Sequence, residues 1–197
     1  MNIVGIDEVG RGPLAGPVTI GIVCCEAKIY KKLKKNSSLP PLGKDSKKLK
    51  PKDREKFEKI LKNLSKLEQL SYSVVHIGNK TIDSKGLSFS IRKAIEKGIL
   101  NLKLEPKNCE ILLDGGLRVE KNFKKQKTII KGDEKEQIIA WASILAKVSR
   151  DALMTRMSKK YPKYGFELHK GYGTAKHRKA MIQYGLSTVH RSSFGSG

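Results

Sequence analysis

The first 25 residues constrain the fold most, because two apolar, β-branched segments flank a short connection rich in glycine and proline. Residues 2–8 have the sequence NIVGIDE, and residues 18–25 have the sequence VTIGIVCC. Both segments are typical of buried strands. The connection is too short for a helical crossover, so we expect the two strands to pair antiparallel.

Strands and helices alternate along the rest of the chain. Further strands are predicted at residues 70–77, 110–114 and 127–130. Helices are predicted from Pro51 to about Leu64, from about Ser84 to Leu100, from near Asp133 to about Lys159, and from after Thr174 to near Gly185. Residues 28–50 are predicted to be a basic, turn-rich segment. The pattern indicates an α/β protein with a mixed sheet flanked by helices.

The charge balance indicates a polyanionic partner. The chain has 41 Lys and Arg residues against 19 Asp and Glu residues, which gives a formal net charge of +22. Side-chain cations that neutralise phosphates release condensed counterions, so nucleic acid is the first expectation. A lysine-rich, solubilising surface would give the same composition.

The three cysteines, Cys24, Cys25 and Cys109, form no C-x-x-C motif and cannot all pair within one chain. We expect reduced, buried thiols. We see neither a signal-peptide pattern nor a run of about 18 apolar residues, so we expect a cytoplasmic protein without a membrane span. Nothing in the sequence demands more than a monomer. We interpret residues 195–197 as a flexible end or a tag remnant.

Four acids stand where predicted strands end or a helix begins. Asp7 and Glu8 end the first strand, Asp114 ends a later strand, and Asp133 precedes the longest helix. Ligands gather outside the strand ends of open α/β sheets. Two divalent cations about 4 Å apart, held by carboxylates, serve phosphodiester cleavage. No Cys or His cluster has zinc spacing, so the acids indicate an oxygen-bound ion such as Mg²⁺ or Mn²⁺.

The strand-end acids also have purely structural interpretations. Adjacent residues on a strand point to opposite faces, so Asp7 and Glu8 need not converge. They converge only if the strand ends or twists there, which Gly10 permits. Asp114 before Gly115 is also an ordinary turn sequence.

The helical acids have structural interpretations as well. Asp133 and Glu136 have the spacing of an N-terminal helix cap. Asp151, inside the long helix, is either a supporting metal ligand or the partner of a basic neighbour such as Lys147.

Three short segments are candidates for substrate binding. Gly10-Arg11-Gly12 could bring backbone amides close to sugar or phosphate oxygens, or could be only a tight strand connection. Tyr172 lies between two glycines and could stack on a base or sugar, or could pack on its own domain. Further candidates for phosphate or substrate contacts are Ser46, Lys47, Lys147, His169 and Lys170. For Ser46 and Lys47 the alternative is a solvated lysine run.

Segments along nearly the whole chain resemble the ribonuclease HII family. They are IDEVGRGPLAGP at residues 6–17, DSKKL at 45–49, LDG at 113–115, KGD at 131–133, ASILAKVSRD at 142–151, HKGYGT at 169–174 and VHRSSF at 189–194. The resemblance implies an RNase H-like catalytic domain at residues 1–160 and a C-terminal helical, substrate-binding extension at residues 161–194.

The resemblance also implies an activity. We expect a metal-dependent endonuclease that cleaves the RNA strand of RNA/DNA hybrids and single ribonucleotides embedded in duplex DNA. Cleavage would lie on the 5′ side of the ribonucleotide and leave 3′-hydroxyl and 5′-phosphate ends, by a two-metal-ion mechanism that uses water as the nucleophile. Such an enzyme would serve ribonucleotide excision repair and hybrid removal.

Residue roles carry over from the matching motifs. The metal-binding carboxylates correspond to Asp7, Glu8, Asp114 and Asp133, with Asp151 as a supporting acid. Residues 10–12 correspond to the loop that senses the ribose 2′-hydroxyl, the group that DNA lacks. Tyr172 corresponds to a tyrosine that stacks on the sugar of the following deoxynucleotide.

Two other functions explain part of the sequence. A non-catalytic, basic nucleic-acid-binding protein would account for the charge but not for the four acids. Another metal nuclease of the same fold, such as a junction resolvase, would account for the acids but would need no ribose.

Overall fold

The computed structural model describes residues 1–39 and 49–194. Its centre is a mixed five-stranded sheet with the strand order β3-β2-β1-β4-β5. The strands are β1 (Asn2–Val9), β2 (Val18–Glu26), β3 (Ser71–Ile77), β4 (Cys109–Asp114) and β5 (Gln126–Ile129). β2 pairs antiparallel with β1 and β3, whereas β4 pairs parallel with β1 and β5. The predicted antiparallel pair at the start of the chain is confirmed.

Helices cover both faces of the sheet. They are α1 (Ala27–Leu33), α2 (Pro51–Lys66), α3 (Asn79–Lys85), α4 (Leu87–Asn101), α5 (Gly132–Lys135), α6 (Gln137–Lys160), α7 (Phe166–His169) and α8 (Ala175–Tyr184). Short 3₁₀ turns occupy Pro106–Asn108, Pro162–Tyr164 and Ser192–Phe194. Within these described ranges, no helix is long and apolar enough to cross a membrane.

The helix predicted from about Ser84 to Leu100 corresponds to α4, and α3 before it was not predicted. The helix predicted from near Asp133 to about Lys159 is divided into α5 and α6. Gly86 has a φ of 82° and separates α3 from α4, because this left-handed conformation ends a helix. Glu136 is extended, with φ −125° and ψ 116°, and separates α5 from α6. The segment predicted to be only turns contains α1, whose Tyr30 and Leu33 are buried.

The sheet has a hydrophobic cluster on each face. Val4 and Ile6 of β1 pack in the cluster that includes residues of α4, and Ile3 packs in the cluster that includes residues of α6. The α6 backbone approaches the sheet closely. A Cβ atom added to Gly5 would lie 2.4 Å from the Ile138 carbonyl oxygen. The glycines of β1 and β2 therefore set the distance between α6 and the strand ends that carry the acids.

A third cluster joins the C-terminal segment to the rest of the described chain. It contains Ala15, Met154, Tyr164, Phe166, Ala180 and Val189. The Leu14 amide donates to the Gly171 carbonyl at 2.8 Å, and Ala15 forms a β-bridge with His190. The segment after β1 is thereby held against the C-terminal part of the chain. The three cysteines are free and buried, as predicted.

Candidate active site

Three of the predicted acids meet at one end of the sheet. Asp7, Glu8 and Asp114 each offer a carboxylate oxygen, and these oxygens lie within 4.8 Å of one another. The parallel register pairs Ile6 with Leu113, so the next residues, Asp7 and Asp114, lie side by side. Asp7 and Glu8 converge although they are adjacent on β1; the pairing of β1 with β4 ends at Ile6, just before them, and β1 itself ends at Val9. Gly10, with a φ of 91°, then turns the chain.

Asp133 lies beside this cluster, on α5. Its carboxylate is close enough to raise the pKa of Asp7, although it stands outside the set of three mutually close acids. Asp133 is buried inside the helix and does not cap it, because α5 begins at Gly132. The Gly132 amide donates to Asp114 Oδ1 at 2.6 Å, which ties α5 to the end of β4.

The electrostatics of the cluster favour a bound cation. Burial raises the pKa of Asp7 well above its ordinary value; a hydrogen bond from Ser143 opposes this shift, and the neighbouring carboxylates add to it. Burial also raises the pKa of Glu8, opposed by Arg11, whose Nη1 lies 3.0 Å from Glu8 Oε1. The second oxygen, Glu8 Oε2, is buried with no hydrogen-bond partner among the described residues. Clustered carboxylates with an unused oxygen are a suitable donor set for a hard divalent ion.

Asp151 stands apart from the clustered acids. Its Oδ1 accepts a hydrogen bond from Lys147 Nζ at 2.9 Å, one helical turn away on α6. This is the pairing that the sequence spacing offered as the alternative to a metal-ligand role. The ion pair holds Lys147 in a fixed place on α6.

A cavity of about 400 Å³ opens next to the acids. Its lining residues are Glu8, Val9, Gly10, Arg11, Gly12, Arg54, Lys147 and Tyr172. Tyr172 is 41% exposed, and Lys147 Nζ lies 6.0 Å from the centre of its ring. The structure therefore brings the predicted glycine loop, the tyrosine and one predicted lysine to the same cavity.

Arg54, on α2, was not predicted from the sequence. Burial lowers the pKa of Lys147, Asp151 opposes the shift, and the charges of Arg54 and Arg150 add to it. The charges of Arg54 and Lys147, which both line the cavity, suit an anionic ligand such as a phosphate. The sequence signal was weak, because Arg54 is one basic residue among the lysines of a basic helix.

The other predicted binding residues lie farther from the cavity surface or outside the described residues. The His169 ring is buried, with its Nε2 2.8 Å from the Tyr164 carbonyl oxygen and its Nδ1 3.2 Å from the Gly171 amide nitrogen. The structure thus places His169 inside the extension. Lys170 donates to Thr155 Oγ1 at 2.7 Å. Residues 46 and 47 lie outside the described residues.

The family model and the curated relatives that match this chain carry the same family name. The family model described as Ribonuclease HII matches residues 4–196. A curated relative named Ribonuclease HII, from Caldicellulosiruptor bescii, is 44% identical over 193 residues, which cover 98% of this chain and 85% of the relative.

Two solved structures have the same fold. The ribonuclease H2 from Pyrococcus horikoshii OT3 superposes with a TM-score of 0.73 and 28% identity, covering 99% of this chain and 94% of that chain. Bst-RNase HIII, solved in complex with Mn²⁺, has a TM-score of 0.68 and 18% identity, covering 99% of this chain and 67% of that chain. Together, the full-length match to the family model and the identity to the curated relative show that this chain belongs to the ribonuclease HII family, metal-dependent endonucleases that act on the RNA of RNA/DNA hybrids.

Proposed function

We propose that the enzyme cuts both the RNA strand of long hybrids and single ribonucleotides embedded in duplex DNA. The cut lies on the 5′ side of the ribonucleotide and leaves 3′-hydroxyl and 5′-phosphate ends. The observation that carries the proposal is the shared cavity, where Glu8 of the acidic cluster, the glycine loop and an exposed tyrosine face one space. These features match the needs of phosphodiester hydrolysis, ribose recognition and recognition of the following sugar.

The acids hold divalent ions, Mg²⁺ or Mn²⁺, in this proposal. Asp7, Glu8 and Asp114 form the centre of the set, and Asp133 completes it from α5. Ions bound there would supply an activated water and would stabilise the departing 3′-oxygen. The Mn²⁺ complex of Bst-RNase HIII, which has the same fold, is consistent with this donor set.

The glycine loop reads the ribose. Residues Gly10 to Gly12 line the cavity directly after the acids, so a sugar next to the scissile phosphate would lie against them. A Cβ added to Gly12 would meet no atom within 4 Å, so the backbone there is open to a ligand. Backbone amides can donate to the 2′-hydroxyl, which distinguishes RNA from DNA.

Tyr172 and the nearby cations bind the strand beyond the cut. The exposed Tyr172 ring offers a stacking surface for the following sugar. Lys147 and Arg54, which line the same cavity, neutralise the phosphate of that nucleotide. Residues 161–194 thus act as a substrate-binding extension, since Tyr172 belongs to that part of the chain. With this arrangement a single ribonucleotide is enough for recognition and cleavage, as ribonucleotide excision repair requires.

A labelled DNA duplex that contains one ribonucleotide tests the proposal. It is incubated with the enzyme in Mg²⁺, in Mn²⁺ and in EDTA, next to an all-DNA duplex and a long RNA/DNA hybrid. We expect metal-dependent cutting of the first and third substrates and no cutting of the all-DNA duplex. Cutting of the long hybrid alone would contradict recognition of single ribonucleotides.

A further inference from the structure

Two arginines are buried behind the glycine loop. Arg150, on α6, is 0% exposed, and Arg191, near the C-terminus, is 1% exposed. Among the described residues, neither guanidinium forms an ion pair with a carboxylate. An unpaired buried charge is strongly unfavourable unless its donors find other partners.

Arg191 finds these partners on the backbone of the glycine loop. Its Nη2 donates to the Gly10 carbonyl at 2.7 Å, and its Nη1 donates to the Arg11 carbonyl at 2.9 Å. Its Nε donates to the Gly16 carbonyl at 2.9 Å. The Arg191 side chain thus holds three carbonyl groups that lie 175 to 181 residues before it in the sequence.

Arg150 donates both to the segment that follows the glycine loop and to the C-terminal part of the chain. It donates to the carbonyls of Pro17 at 2.9 Å, Lys170 at 3.0 Å and Ala15 at 3.3 Å. Lys170 lies two residues before Tyr172. Arg150 therefore joins the segment that follows the glycine loop to the segment that carries Tyr172.

The carbonyl directions determine where the loop amides point. Every peptide bond in the described residues is trans, so each N–H points away from the preceding carbonyl. Because the Gly10 and Arg11 carbonyls face Arg191, the amides of Arg11 and Gly12 face the opposite way. Both residues line the cavity, and neither amide donates a hydrogen bond within the described part of the chain.

We infer that Arg191 is a positioning residue for ribose recognition, because it turns the Arg11 and Gly12 amides toward the 2′-hydroxyl of the substrate. The inference rests on the proposed function of the glycine loop. Burial lowers the pKa of Arg191 to about 10, so the guanidinium remains charged at neutral pH. A positive charge at the carbonyl end of a peptide group polarises it and strengthens the amide at the other end as a donor.

The test compares two substrates and three forms of the enzyme, one of them a control. The substrates are DNA duplexes with one ribonucleotide or one 2′-deoxy-2′-fluoro nucleotide at the same position. The enzymes are the wild type and Arg191→Lys, which keeps the charge but loses the three-directional donor set. Arg92→Lys, an exposed change on α4, is the matched control and should behave as wild type. Single-turnover rates and KM are measured for every pair.

We expect Arg191→Lys to lower kcat/KM for the ribonucleotide duplex by about 100-fold, the effect of a misplaced binding group. The loss on the 2′-fluoro duplex should be much smaller, because that substrate has no hydroxyl for the amides to recognise. The change of Arg191 in the enzyme and the loss of the 2′-hydroxyl in the substrate would then have non-additive effects, as in a double-mutant cycle. Equal losses on both substrates, or no loss on either, would overturn the inference and indicate a purely structural arginine.

A measurement on the wild type covers the case in which Arg191→Lys does not fold. The amide signals of Arg11 and Gly12 are followed by NMR while RNA/DNA hybrid or all-DNA duplex is added in Ca²⁺. Shifts of these two amides with the hybrid alone support the inference, and equal shifts with both duplexes overturn it. If the wild type fails to cut single ribonucleotides, the proposed function fails, and this titration still judges whether the Arg11 and Gly12 amides recognise the ribose, on which the role of Arg191 depends.

Discussion

Replacing Asp7 by asparagine should stabilise the metal-free protein and lower the activity of the enzyme. Asp7 is 3% exposed and its pKa is raised by burial and by three neighbouring carboxylates. Asparagine keeps the shape, can accept from the Glu8 amide as Asp7 does at 2.7 Å, and carries no charge. Relieving the repulsion should therefore raise the free energy of unfolding of the metal-free protein by about 1 kcal/mol at neutral pH, typical of a stabilising change at a functional site.

The effect depends on pH in a definite direction. The folded protein holds the Asp7 proton more tightly than the unfolded chain, whose ordinary pKa is 3.8. Protonated Asp7 therefore contributes to the stability of the wild type. This contribution is fully present below the unfolded-state pKa and is lost as the pH rises through the raised pKa of the folded state. The wild type without metal should thus lose more stability than Asp7→Asn over this pH range.

Urea unfolding in EDTA and in Mg²⁺, together with a nicking assay, measures both consequences. We expect Asp7→Asn to lower activity by more than 100-fold, since even residues that only orient metal ligands contribute about 10- to 100-fold. Asp53→Asn, an exposed change in the first turn of α2, is the control and should lower stability by about 0.3–1 kcal/mol with full activity. Full activity of Asp7→Asn, or a less stable metal-free protein, would refute the reasoning.

Three further changes test other parts of the account. Tyr172→Ala should weaken cleavage of single-ribonucleotide duplexes by about 1–3 kcal/mol of transition-state binding and affect long hybrids less; equal losses in kcat/KM would count against stacking. Gly21→Ala should destabilise the fold by about 1–3 kcal/mol, because its Cβ would lie 2.2 Å from the Ala142 carbonyl oxygen; an unchanged melting temperature would contradict the close approach of α6. Thr174→Ala removes the cap that accepts from the His177 amide at 3.3 Å and should cost about 1 kcal/mol in urea unfolding, whereas no change would show that the cap is dispensable.

The strands and long helices were predictable because their apolar residues follow regular periods. The VTIGIVCC run became β2, and Pro51 begins α2 as its position suggested. Helix α1 was missed because lysines dominate it and only Tyr30 and Leu33 are buried. The break at Glu136 was missed because one extended residue between two helical segments does not change the helical spacing of the apolar residues.

The acids of the site were predictable, but the arginines that support it were not. Asp7, Glu8 and Asp114 stand at strand ends, and a sheet brings strand ends together. Arg150 and Arg191 are two basic residues in a chain of net charge +22, where an arginine is expected on the surface. Their bonds to residues 10–17 join distant parts of the chain, and no local pattern reveals them.

The position and chemistry of the cut test the central claim most directly. A DNA duplex with one ribonucleotide, labelled at the 5′ end of that strand, is cut in Mg²⁺, and the labelled fragment is sized and offered to a DNA polymerase. Our account predicts a fragment that ends in the deoxynucleotide before the ribonucleotide, with a 3′-hydroxyl that the polymerase extends. A fragment that retains the ribonucleotide and ends in a cyclic phosphate would mean that the 2′-hydroxyl itself attacks, and would contradict hydrolysis by water at the acidic cluster.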